Sequence, residues 1–133
     1  MFDYVSVLKA NPVGVLATQN GEGVGTRVFQ FLFADGNKAY FCTSNQKPVY
    51  DQITAKPNVS FCSYPADFNP VVSVNGMAVF VDDIGLKTRA LDENPPIKGI
   101  YNTPGNPEFE LFYIDVKKIE TFSFAEGPKT YTV

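Results

Sequence analysis

The chain has 133 residues and a formal net charge of −3, with 44% hydrophobic and 19% charged residues. That is enough apolar sequence for a single domain over 1–133 with its own core, and too few charges for a disordered chain. The acidic balance offers no general attraction to nucleic acid or to an anionic membrane, and the lack of histidine removes imidazole as a metal or haem ligand, general base or pH switch.

Cys42 and Cys62 each follow a phenylalanine inside an apolar run and read as buried free thiols. Two isolated cysteines do not complete a zinc shell, so no metal site is expected. Met1-Phe-Asp-Tyr-Val5 has neither a basic segment nor a long apolar stretch, so it does not read as a secretory leader. No run reaches the roughly 18 to 20 apolar residues that span a bilayer. A cytoplasmic location without membrane contact is expected.

In chain order, Phe2, Val5 and Leu8 are spaced for one face of a short helix that Asn11-Pro12 ends. Val13 to Ala17 reads as a buried strand, Asn20-Gly21 as a hairpin turn, and Val24 to Phe33 as the returning strand. After a turn over Ala34 to Asn37, Lys38 to Thr43 is a third strand, giving an antiparallel meander. Pro48 to Lys56 is predicted helical with Val49 and Ile53 inward, and Lys56-Pro57 ends it. Val59 to Tyr64 is a fourth strand. Val71 to Val81 is the longest, interrupted at Asn75-Gly76 by a bulge or a close backbone approach. Asp82-Asp83 would cap a helix running to about Leu91; Asn94-Pro95-Pro96 reads as a break and Thr103 to Pro107 as a loop. Phe109 to Val116 and Ile119 to Phe124 are predicted as two strands joined through Lys117-Lys118. About seven antiparallel strands with three short helices place the chain in the mainly β class, as a barrel or sandwich.

Two cations stand out. Arg27 interrupts an apolar run, sharing one strand face with Phe29, Phe31 and Phe33, and Arg89 is the only other arginine. A guanidinium there must be paired or partly wet, either through a structural salt bridge or through a ligand. Its planar fork suits a phosphate. Thr43-Ser44-Asn45-Gln46-Lys47 then leads into a helix starting at Pro48, where free N–H groups, hydroxyls and an ammonium could gather around an anion. Alternatively, Ser44 or Asn45 simply caps the helix and Lys47 is solvated. In a meander the Arg27 strand lies beside the strand ending in Thr43, so both groups could converge on one phosphorylated ligand.

The order of these features resembles the pyridoxamine 5′-phosphate oxidase-like split β-barrel flavoproteins, particularly small members akin to nitroimidazole reductases. The resemblance is carried by Val13-Gly-Val-Leu-Ala-Thr18, the glycine-rich hairpin, Arg27-Val-Phe29, Tyr40-Phe-Cys-Thr-Ser44 with Lys47, Lys56-Pro-Asn58, Val72-Ser-Val-Asn-Gly76, the Asn-Pro-Pro break and Phe109 to Ile114. It covers almost the whole chain. It implies an antiparallel split β-barrel of the FMN-binding type, forming a homodimer with FMN at the subunit interface. It implies that Arg27 and Lys47 hold the FMN phosphate, with Thr43 and Ser44 donating to it. The backbone of Val28, Phe29 and Gln30 would meet the polar edge of the flavin ring, and partner residues between Tyr101 and Tyr113 would cover its other side. Ala125 to Val133 offers only Lys129 where true pyridoxamine phosphate oxidases carry an arginine- and histidine-containing segment, so that activity is not implied.

These features favour an FMN-dependent oxidoreductase passing electrons from a reduced nicotinamide to a small-molecule acceptor. The cofactor would carry the chemistry, which accounts for the lack of an identifiable nucleophile or acid–base dyad. Thr43 and Ser44 have no histidine to activate them as hydrolase nucleophiles. The alternative is a non-catalytic module that binds or senses flavin or a deazaflavin. A single-stranded nucleic-acid binder would need a basic groove, which this acidic chain does not offer.

Overall fold

The computed structural model describes residues 2–133. Helix α1 (Tyr4–Ala10) starts on Asp3, whose carboxylate accepts from the Ser6 N–H at 3.2 Å. It turns Tyr4 and Leu8 into the core, with Phe2 and Val5 packed against its margin. Strands β1 (Val13–Asn20) and β2 (Gly23–Gln30) form the expected hairpin, with Asn20 opposite Gly23.

The run from Val24 to Phe33 is not one strand. After Gln30 the Phe31 N–H donates to the Pro12 carbonyl at 2.7 Å and the Leu32 N–H to the Tyr40 carbonyl at 3.0 Å, so the chain changes pairing partner. It continues as β3 (Phe33–Asp35), which pairs with β4 (Lys38–Ser44). Phe31 therefore stays in the interior, while Phe33 belongs to a second cluster and stacks on Tyr40 at 4.6 Å between ring centroids. The meander fails for the same reason, since β2 and β4 are not hydrogen-bonded neighbours.

Helix α2 (Pro48–Ala55) buries Val49 and Ile53. Strands β5 (Asn58–Ser63) and β6 (Val71–Val81) follow, and then helix α3 (Ile84–Asp92), whose cap Asp83 accepts from the Leu86 N–H at 3.0 Å. The segment read as a break is a further helix, α4 (Pro95–Tyr101), with Ile97 and Tyr101 buried. Two prolines in its first turn remove only N–H groups that no helix uses there. Strand β7 (Phe109–Ser123) is continuous, and β8 (Gly127–Thr132) pairs with it. Among the described residues the count is thus eight strands and four helices. None of these helices is long and apolar enough to cross a membrane.

The sheet order is β2-β1-β5-β6-β7-β4-β3, all antiparallel, with β8 added on β7. It curls without closing, so β2 and β4 face one another across the interior, where Phe29 meets Phe41 edge-on at 6.4 Å. This split barrel is filled by Phe41, Phe61 and Phe112, and α3 and α4 cover the outside of β4 and β7 with a second cluster around Tyr101 and Phe109.

Curling needs a bulge. Asn75 pairs with Lys118 but Gly76 with Val116, which leaves Lys117 as the extra residue in β7. The two lysines read as a turn are one bulged and one paired position. A Cβ on Gly76 would stand 1.9 Å from the Asp115 carbonyl oxygen, where backbone cannot give way cheaply. Gly76→Ala is expected to lower stability by about 1–3 kcal/mol, the usual range for overpacking, read as a fall in the thermal midpoint. An unchanged midpoint would contradict this account of the bulge.

Candidate functional site in the split between β2 and β4

Alternation on β2 sends Arg27 and Phe29 inward and leaves Val24, Thr26 and Val28 exposed. At the open end of the barrel the Arg27 guanidinium meets only neutral oxygens. Nη1 donates to Thr18 Oγ1 at 2.7 Å, Leu16 O at 3.2 Å and Gly25 O at 3.3 Å, and Nη2 donates to Gln52 Oε1 at 2.7 Å. The Thr18 hydroxyl itself donates to Gln52 Oε1 at 2.6 Å, tying β1, β2 and α2 together around the cation. Gly25 makes this possible, because a Cβ there would stand 2.8 Å from Nη2.

Arg89 shows what a structural arginine looks like in this fold. It binds Asp35 at 3.1 Å and Glu93 at 2.7 Å and lies 3.9 Å over the Phe33 ring. Among the described residues Arg27 has no carboxylate partner, so its charge is held but not neutralised. Partial burial lowers its pKa from the ordinary value, although a guanidinium remains protonated. Lys47 is the N-cap residue of α2 and makes no side-chain capping bond or salt bridge among the described residues.

Arg27 and Lys47 come together. With Val28, Pro48 and Val49 they line a cavity of about 350 Å³. A second cavity of about 160 Å³ shares Val28 and Lys47 with it and continues along Phe29, Gln30 and Cys42 to Ile97, Ile100 and Tyr101. The two form one groove, cationic at the α2 end and apolar at the α4 end. Burial pushes both the Cys42 thiol and the Tyr101 phenol up to about 12, so this wall is neutral. Of the other depressions, one of about 310 Å³ beside β1 and β5 has no charged lining residue. Another of about 320 Å³ holds Lys87 together with Asp82 and Glu110, a poor balance for an anion.

The remaining predicted site residues are placed as follows. Thr43 and Ser44 end β4 and line neither part of the groove; Ser44 Oγ accepts from the Gln46 N–H at 3.1 Å, and Thr43 Oγ1 is buried with no partner. The Gln30 amide donates to Asn94 Oδ1 at 3.3 Å, and Asn94 Nδ2 donates to the Ala90 carbonyl at 2.8 Å, which anchors the start of α4 to β2. Sequence reasoning missed Thr18, Gln52, Ile97 and Ile100. The four-residue spacing of Ile97 and Tyr101 after Pro95-Pro96 was a usable helix signal; no motif marks Thr18 or Gln52.

The family model for pyridoxamine 5′-phosphate oxidase matches residues 3–123. The chain belongs to the pyridoxamine 5′-phosphate oxidase family. A NimC/NimA family protein from Clostridium acetobutylicum is similar at a TM-score of 0.86 and 23% identity, over 98% of this chain and 91% of that one. General Stress Protein 26 from Bacillus anthracis gives 0.82 and 21%, over 96% of this chain and 94% of that one. A heme binding protein from Mycobacterium smegmatis gives 0.76 and 17%, over 95% of this chain and 55% of that one. At these identities the neighbours establish the fold alone. No curated protein matches the sequence.

Proposed function

We propose that this chain is an FMN-binding oxidoreductase that works as a homodimer and serves a reduced nicotinamide and a small-molecule electron acceptor. The observation that carries this is the un-neutralised Arg27, held open by neutral oxygens in the cavity it shares with Lys47. FMN suits the groove: a phosphate for the two cations and a flat ring for the apolar wall of Ile97, Ile100 and Tyr101. The fork of Arg27 still has Nε free, and Lys47 adds a mobile ammonium.

Val28, Phe29 and Gln30 present backbone to the ring edge, while the Gln30 side chain holds α4 in place. The resemblance also gives Thr43 and Ser44 to the phosphate, but both lie outside the lining of the groove, so the phosphate site is proposed on Arg27 and Lys47. Bound there, FMN would supply two-electron redox chemistry, and the protein supplies position, electrostatics and exclusion of water. Flavin binding within the family supports this assignment. The haem-binding neighbour shares its fold with a chain that here has no histidine to ligate iron.

The test is to add FMN to the purified chain, remove the excess, and record the visible spectrum and the oxidation of a reduced nicotinamide with a small quinone or nitroaromatic present. A retained flavin spectrum with turnover is the expected result. Retained flavin without turnover would support the inert flavin-binding module instead. No retention would overturn both.

A further inference from the structure

The cavity of about 320 Å³ between the start of α3 and the loop before β7 shares no lining residue with the groove. Its marked feature is Lys87. The lysine side chain is only 11% exposed, yet its ammonium has a single acceptor, Asp82 Oδ1 at 3.1 Å, on a side chain that is 98% exposed. A pair with one member fully in solvent contributes little. An ammonium carries three N–H donors, so among the described residues two of them are unspent beside the cavity. The Phe109 ring, its centroid 5.9 Å from Nζ, is a weaker partner than an oxygen would be. A cation with so little exposed side chain gains from further acceptors.

Another part of the lining carries the opposite sign on a fixed frame. Glu110 Oε2 accepts from Asn45 Nδ2 at 2.9 Å, and the same Nδ2 donates to the Pro107 carbonyl at 2.8 Å, which ties carboxylate and loop to the end of β4. Asn106 holds the rest of the loop: its Nδ2 donates to the Tyr101 carbonyl at 3.0 Å, and its Oδ1 accepts from the Glu108 N–H at 2.9 Å. Glu110 forms no salt bridge among the described residues, which leaves its Oε1 as a free acceptor. Ile84, Pro104 and Pro107 add apolar lining. A lone anion in this cavity would meet two carboxylates, and a lone cation would meet Lys87. A ligand with both signs satisfies both.

We propose that this cavity binds a small amino acid in its zwitterionic form. The carboxylate takes the two free donors of Lys87, the ammonium takes Glu110 Oε1, and the carbon chain lies against Ile84, Pro104 and Pro107. The volume is on the scale of small-ligand sites, and a loop already held by its own hydrogen bonds needs little ordering when the ligand enters. The site stands apart from the groove, so it does not depend on a flavin being bound there.

The test is calorimetric titration of the purified chain with glycine, β-alanine and γ-aminobutyrate, whose two charges stand progressively further apart. Acetate and methylamine serve as the separate halves. At least one zwitterion is expected to bind about tenfold or more tighter than either half, and K87M and E110Q are each expected to weaken it by about tenfold or more. E110Q keeps an oxygen for Asn45 and removes only the charge, so it decides the matter should K87M disturb the packing of α3. Thermal unfolding checks that each variant is folded. No saturable heat from any of the three zwitterions overturns the proposal and leaves Lys87 as a stem packed on Phe109. Binding of acetate as tight as that of the zwitterions, or undiminished zwitterion binding by folded E110Q, overturns it as well.

Discussion

Replacing Arg27 and Lys47 together by alanine is expected to lower FMN affinity by about 10²- to 10⁴-fold while leaving the chain folded. Hydrogen bonds to charged groups contribute about 1.5–3 kcal/mol each, and each 1.4 kcal/mol is about tenfold in affinity. Losing one contact from each cation gives the stated range. The fold should survive, because the Thr18–Gln52 hydrogen bond at 2.6 Å does not need the guanidinium and Lys47 touches no core residue through a salt bridge or cap. Titration of flavin fluorescence reads the first effect, and thermal unfolding reads the second. Each single variant should show part of the loss, the Arg27 one more, since its fork is prepositioned by four acceptors. FMN bound by the folded double variant at wild-type affinity would refute the phosphate site.

Both cations could be picked out of the sequence because each breaks a local pattern: one arginine inside an apolar strand, one lysine against a helix-starting proline. Why they meet could not be read there. Adjacent strands in a meander would have brought them together, but β1, β5, β6 and β7 lie between β2 and β4 in the sheet, and only its curvature returns β4 to β2. Curvature depends on details such as Lys117 bulging opposite Gly76, which the Asn-Gly pair announced and the following Lys-Lys disguised. The last strand was lost for a simpler reason. Gly127-Pro-Lys-Thr-Tyr-Thr132 is an edge strand with little buried surface, so it lacks the alternation that betrays a half-buried one. Helix α4 was lost because Asn94-Pro95-Pro96 signals both the end of one helix and the beginning of another. The neutral shell of Arg27 left no trace at all, since Thr18 and Gln52 gain meaning only from a contact between distant segments.

That neutral shell yields the sharpest separation of fold from function. Gln52→Glu keeps the size and shape of the side chain and the oxygen that accepts from Arg27 Nη2 at 2.7 Å and from Thr18 at 2.6 Å. It changes only the charge. A carboxylate there would pair with the guanidinium, as Asp35 and Glu93 do with Arg89, and so cancel the charge on which the proposed phosphate site depends. A phosphate dianion would then meet Lys47 alone, with a new negative charge close by. Opposed charges about 4 Å apart near a protein surface interact by about 4 kcal/mol at an effective dielectric constant of about 20, and solvent at this open end reduces that figure. FMN affinity is therefore expected to fall by about 30-fold or more, while the thermal midpoint of the flavin-free chain stays the same or rises. The opposite signs are the point. If Arg27 serves only to tie β2 to α2, a stronger tie should raise stability and leave flavin retention untouched. Gln52→Leu supplies the complement: it loosens the guanidinium without neutralising it, so stability should fall further than affinity. A Gln52→Glu chain that binds FMN as tightly as the parent would show that the charge at Arg27 is not what the ligand recognises.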